Sequence, residues 1–213
     1  MAGDLRGETP MRPQTFLLSP ASTSGRRAQL LFNERAAFPL ARALRTRRGA
    51  SLGEVFSFVS GLYFRGKLTY AQAFGRPLPG SPPVLVITAD RGLVSPDVRV
   101  TLADLRAFAG SPIEVANAAY RDPLLRAAEQ LAINGAGTLD VILLGSIASG
   151  KYVDVLLSVF GERLLFPLEF VGRGDMSRGG LMLRCVDAGA ELTYVPVAGA
   201  LRRGQRPPKL SPR

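Results

Sequence analysis

The residues best equipped for chemistry lie between Gly172 and Arg184, where the chain reads G-R-G-D-M-S-R-G-G-L-M-L-R. Three arginines, an aspartate, a serine and four glycines fall within thirteen residues, directly after the apolar run 164–171. Glycines let a backbone bend tightly or approach a ligand closely, and arginine forks suit phosphate or carboxylate. The cluster reads as an anion-facing site, with a glycine-rich turn carrying solvated charges as the plainer alternative. Arg173, Arg178 and Arg184 are its anion-binding candidates, and Asp175 is its candidate catalytic carboxylate.

A second polar segment, Gly145-Ser-Ile-Ala-Ser-Gly150-Lys151, follows an apolar strand and opens a helix. It matches the G-x-x-x-x-G-K phosphate loop, but Tyr152 stands where that loop needs Ser or Thr to hold magnesium, and no strand ending in Asp follows to complete it. Nucleotide hydrolysis is therefore disfavoured. The helix start still attracts anions, and Lys151 and Ser149 join the anion-binding set; structurally, Ser149 reads as a helix cap. Arg91, next to the second candidate carboxylate Asp90, and Arg65, two residues after Tyr63, complete the set. Tyr63 and Tyr152 are candidates for stacking on a base. Each carboxylate could equally be an ion-pair partner of a neighbouring arginine, and each tyrosine a core residue.

Composition removes many mechanisms. The chain of 213 residues contains no histidine, so histidine triads, histidine metal sites and imidazole acid–base chemistry are excluded. The single cysteine, Cys185, permits neither an internal disulfide nor a cysteine-rich zinc site. Neither a metal nor a cofactor is expected. No uncharged apolar run reaches the ~18 residues of a spanning helix, and the N-terminus lacks the apolar core of a signal peptide, so the expectation is a cytoplasmic protein without membrane contact. The formal net charge is +10, unevenly placed. Residues 1–50 hold nine Lys/Arg against three Asp/Glu, 198–213 hold five against none, and 51–197 hold thirteen against fourteen. Basic ends of this kind track phosphate backbones without sequence specificity.

These residues need elements to position them. Residues 1–13 read as disordered, 14–197 as one domain, and 198–213 as a basic, proline-rich tail. Apolar runs at 15–19, 84–88, 140–144, 164–166 and 192–195 read as strands, with 84–88 and 140–144 buried on both faces. Helices are expected over 28–48, from Ser51 with a capping box to Glu54, over 66–74, from Thr101, from Pro123 through 131, and over 151–160. Strands alternating with helices imply an α/β fold: a single domain with a mostly parallel or mixed central sheet flanked by helices. In such sheets ligands bind beyond the carboxyl ends of the strands. That places Arg91, Lys151, Arg173 and Arg178 near one crevice with Asp90, Asp175, Tyr63 and Tyr152.

Several segments, taken in order, carry a resemblance. They are Leu18-Ser-Pro-Ala21, Tyr63-Phe-Arg-Gly66, Val86-Ile-Thr-Ala-Asp-Arg-Gly-Leu93 with Pro96 and Asp97, Ala148-Ser-Gly-Lys-Tyr152, Phe160, and Arg178-Gly-Gly-Leu-Met182 with Arg184. Together they resemble the peroxide-stress YaaA family and its relatives of unknown function, across about residues 17–184. Ser22 stands where that family has a lysine, and Gly179-Gly180 replaces a single glycine. The resemblance implies a basic cleft and DNA binding connected with oxidative damage. Three functions are weighed on this basis. The first is nucleic-acid binding, DNA more than RNA, by a basic crevice and basic termini. The second is metal-independent cleavage or exchange of an N-glycosidic bond at an extruded base, with Asp175 or Asp90 stabilising the oxocarbenium-like state. The third is a structural or regulatory protein whose tails bind a partner.

Overall fold

The apolar runs form a six-stranded mixed sheet in the order β4-β3-β1-β6-β7-β8 in the computed structural model, which describes residues 12–201, 204–208 and 210. The strands are β1 (Gln14–Leu18), β3 (Val84–Ile87), β4 (Leu93–Val94), β6 (Asp140–Leu144), β7 (Leu164–Pro167) and β8 (Tyr194–Pro196). β1 pairs in parallel with both β3 and β6, and β6 in parallel with β7, while β4 and β8 are antiparallel edges. A small antiparallel pair, β2 (Ala50–Ser51) with β5 (Arg99–Val100), lies apart from it. Neither 84–88 nor 140–144 is helical or at the sheet's edge, as the continuous apolar runs require.

Side chains alternate across the sheet with period two and fill a core on each face. Phe16, Leu18, Val84, Val86, Ile142 and Leu144 enter one core; Leu17, Ile87, Val141 and Leu143 enter the other. Each fully buried aliphatic side chain contributes about 1.5–3 kcal/mol. The first face carries α1 (Arg26–Phe32), α2 (Pro39–Leu44), α3 (Leu52–Ser60), α4 (Leu62–Phe74), α5 (Leu102–Gly110) and α8 (Asp175–Ala188); the second carries α6 (Ala118–Asn134) and α7 (Gly150–Phe160).

Local chemistry accounts for most helix boundaries. The Ser51 hydroxyl accepts from the Glu54 amide at the start of α3, and Thr101 with Asp104 forms a complete capping box on α5. Gly189, with φ 62°, ends α8 in the left-handed conformation. Four boundaries differ from expectation. The helix expected over 66–74 begins at Leu62, directly after Gly61. Residues 28–48 form two helices, because Pro39 starts α2 and Arg45 donates to the carbonyls of Asn33, Ala36 and Ala41, holding the corner. Pro123 lies in the second turn of α6, where its missing N–H removes one intrahelical bond and does not open the helix. Ser149 occupies the N-cap position of α7, but its side chain makes no capping bond. The expected disordered segment falls almost wholly outside the described residues, as do Arg202, Arg203, Lys209 and Arg213 of the basic tail.

Candidate functional site

β1 and β6 are neighbours whose following loops diverge, toward α1 on one face and α7 on the other. That divergence opens a crevice at their carboxyl ends. It has a volume of about 520 Å³, within the range of small-ligand sites. Its floor and rim come from the 19–24 loop after β1, from Ser146 and Ser149 after β6, and from Lys151 and Tyr152 on α7. Tyr63 and Ser60 come from α4 and the end of α3, Phe108 and Ser111 from α5 and its C-cap, and Asp175 from the first residue of α8. Eight of these lining residues are serines or threonine, so the crevice presents hydroxyls to whatever enters. Among the described lining residues Lys151 and Asp175 carry the charge.

Behind the floor lies Lys67, which is 1% exposed. Its Nζ donates to the Ser19 carbonyl at 2.6 Å and lies 2.8 Å from Ser19 Oγ. The amine sits 4.5 Å from the Tyr63 ring centre and 5.0 Å from that of Phe64. Burial pushes the lysine down to about 7, with Asp175 acting to raise it and Arg178 to lower it further. Gly145 permits this packing: a methyl there would stand 2.9 Å from Ser19 Cβ and 3.0 Å from the Tyr152 hydroxyl. Tyr152 donates to the Ser146 carbonyl at 2.9 Å and accepts from the Ser146 amide at 3.1 Å, which anchors the turn after β6. Burial raises the Tyr152 phenol, and the Ser19 side chain beside it pulls the other way. Burial raises the Tyr63 phenol as well, while Arg178, by its charge and a side-chain hydrogen bond, pulls the other way.

Of the residues singled out in the sequence, Asp175, Lys151, Ser149, Tyr63 and Tyr152 come together in this crevice. The others do not line it. Arg91 pairs with Asp104, lies 3.6 Å from Asp90 and stacks 5.1 Å from the ring of Phe108, so it backs the crevice wall. Asp90 sits beside it, its carboxyl raised chiefly by burial and lowered by Arg91. Arg65 lines a separate groove with Arg27, Leu30 and Met176, while Arg184 lies farther along α8.

The Gly172–Arg184 cluster is largely occupied by the protein itself. Arg178 donates twice to the Phe170 carbonyl, at 3.2 and 3.0 Å, with Asp175 3.8 Å away. Arg173 donates to the Glu169 carbonyl, Ser177 Oγ and the Pro208 carbonyl. Gly179 is where α8 crosses α4. A methyl on it would lie 2.7 Å from the Leu62 carbonyl oxygen and 2.9 Å from Tyr63 Cα, and one on Gly66 would lie 2.7 Å from the Gly179 oxygen. The glycines thus bring two helices together and, through that contact, set Tyr63 and Lys67 against the crevice.

Sequence reading missed the Ser19–Lys67 pair. Its available signal was compositional: Lys67 is one of three lysines in a chain of 24 arginines, and it falls within an apolar helical stretch. Among the described residues no helix is long and apolar enough to cross a membrane, and no three Cys, Asp or Glu side chains gather as a metal site. No protein-family model matches this chain, and no curated protein or solved structure matches it either.

Proposed function

We propose that this is a nucleic-acid-binding protein, DNA its preferred partner, whose crevice receives one nucleotide unit. The observation that carries this reading is the hydroxyl-lined crevice at the β1–β6 switch point, where Lys151 and the N-terminus of α7 meet. Helix N-termini present unpaired N–H groups and a partial positive charge to a phosphate. Hydroxyls from both sides can satisfy sugar and phosphate oxygens, and the rings of Tyr63 and Phe108 offer apolar walls for a base. The 19–24 loop continues into the exposed tract Arg26, Arg27, Arg35, Arg42, Arg47 and Arg48, which can track neighbouring phosphates. The resemblance to the peroxide-stress YaaA family supports the same reading, since Ser19 to Ala21, Tyr63 and Ser149 to Tyr152, three of the segments that carry it, border one crevice. It favours a role in damage or stress.

Fluorescence anisotropy with labelled single-stranded DNA, duplex DNA and RNA, between about 50 and 200 mM salt, tests this. Binding should weaken steeply with salt, and Lys151→Ala should reduce the slope by about one while leaving stability within ~0.5 kcal/mol. Salt-independent or absent binding of all three polymers would refute it. Asp175 favours a second reading, N-glycosidic-bond chemistry, because it is the one carboxylate lining the crevice among the described residues. If that reading holds, Asp175→Asn retains binding and loses turnover on damaged-base oligonucleotides by orders of magnitude.

A further inference from the structure

Ser19 and Lys67 are bonded to one another without any requirement from the nucleic-acid reading. Lys67 lies on α4, wholly removed from water, and no carboxylate forms an ion pair with it among the described residues. An ammonium buried without a counter-charge is strongly disfavoured, whereas a neutral amine is stable there. A neutral amine also has the lone pair that an ammonium lacks. Nζ donates to the Ser19 carbonyl at 2.6 Å and to Ser19 Oγ at 2.8 Å; in the neutral amine the second bond can reverse, so that the lone pair accepts the Ser19 hydroxyl proton. Ser19 itself opens on the crevice.

We propose that Ser19 is the nucleophile and Lys67 the general base of an acyl-transfer site that hydrolyses a carboxylic ester. Lys67 Nζ takes the Ser19 proton as Oγ bonds to the ester carbon. The tetrahedral oxyanion faces the side of the crevice where Lys151 and the N-terminal end of α7, to which the Ser149 side chain makes no capping bond, can stabilise it. Collapse breaks the bond to the alcohol, which leaves with the proton from Lys67. Water, deprotonated by Lys67, then attacks the acyl-serine, and Ser19 departs with that proton. Although a phosphate can be held here, the described lining suits catalysis at an acyl carbon better than phosphoryl transfer. One lysine and one helix end match a single developing charge, whereas phosphoryl transfer calls for several cations around three oxygens.

The groups facing Lys67 set its pH dependence. Tyr63 and Phe64 on its own helix enclose it, Asp175 on α8 favours its proton, and Arg178 on α8 disfavours it. The test is covalent labelling of the full chain by a fluorophosphonate, located by peptide mass spectrometry, together with p-nitrophenyl acetate hydrolysis. A single adduct on Ser19 is expected, forming faster as pH rises, with a midpoint near 7. Ser19→Ala should abolish adduct and turnover while keeping the melting temperature. Lys67→Met should slow labelling by about 100-fold or more. Should that variant not fold, Asp175→Asn decides: its labelling midpoint should move to lower pH. An unlabelled Ser19, adducts scattered over the serines, or a rate flat between pH 6 and 9 would overturn the proposal. Anisotropy with DNA is read separately, so loss of either function is distinguishable.

Discussion

Stability should rise with pH between 7 and 9, and Lys67 should be the cause. The lysine titrates near 7 in the folded protein against 10.5 when unfolded. Below pH 7 both states carry the proton, and the folded state bears the full burial penalty. Above 10.5 neither state does, and the penalty is gone. In between, the unfolded chain holds about one proton more, so the unfolding free energy climbs by up to ~1.36 kcal/mol per pH unit. Integrated from pH 7 to 9, with the folded state half-protonated at the start, the gain is roughly 2 kcal/mol. The raised phenols act oppositely only near and above pH 10, and the raised Cys185 thiol only from about pH 9. Urea unfolding followed by circular dichroism at pH 7, 8 and 9 measures this, on the wild type and on Lys67→Met. Their difference isolates the lysine, because every other group is common to both. The variant should lose the slope whatever its absolute stability. Equal slopes would show that Lys67 stays charged in the fold despite its burial, and so is no general base.

Other consequences follow from the packing. Gly179→Ala should cost about 1–3 kcal/mol by denaturant unfolding, because a methyl 2.7 Å from the Leu62 oxygen forces α8 off α4; an unchanged midpoint would mean that the helices separate freely. Arg178→Ala should destabilise by roughly 1.5–3 kcal/mol, since the side chain is 14% exposed and supplies two charge-assisted bonds to the Phe170 carbonyl. A change under ~0.5 kcal/mol would free Arg178 for a ligand role. Tyr70→Phe should cost about 1–3 kcal/mol, because it strips the buried Leu192 amide of its acceptor at 2.8 Å; thermal melting checks it, and an unshifted melting temperature would imply that water replaces the phenol.

The strands were legible because continuous apolar runs such as 84–87 and 140–144 have one economical use, burial on both faces of a sheet. Four of the eleven site candidates were legible for a related reason. Ser149, Lys151 and Tyr152 sit just after the apolar strand 140–144 and Asp175 soon after 164–167, whereas the helix that carries Tyr63 was expected only from residue 66. The Gly172–Arg184 cluster was visible, but its job was not. Local sequence shows that Arg173 and Arg178 can bind oxygen; only the fold shows that backbone carbonyls of the protein already accept from them.

What sequence determined by itself is therefore the set of parts: an α/β chain without histidine, capped helices, and polar segments at the strand ends. Tertiary structure alone decided which parts meet. Lys67 reaches Ser19 across 48 positions, and Gly66 meets Gly179 across more than a hundred. Neither pairing leaves a periodicity or spacing to read, because each arises from how α4 packs against α8 and the end of β1 on one face of the sheet. The amine in α4 acquires its chemical character only once packing has removed the water around it.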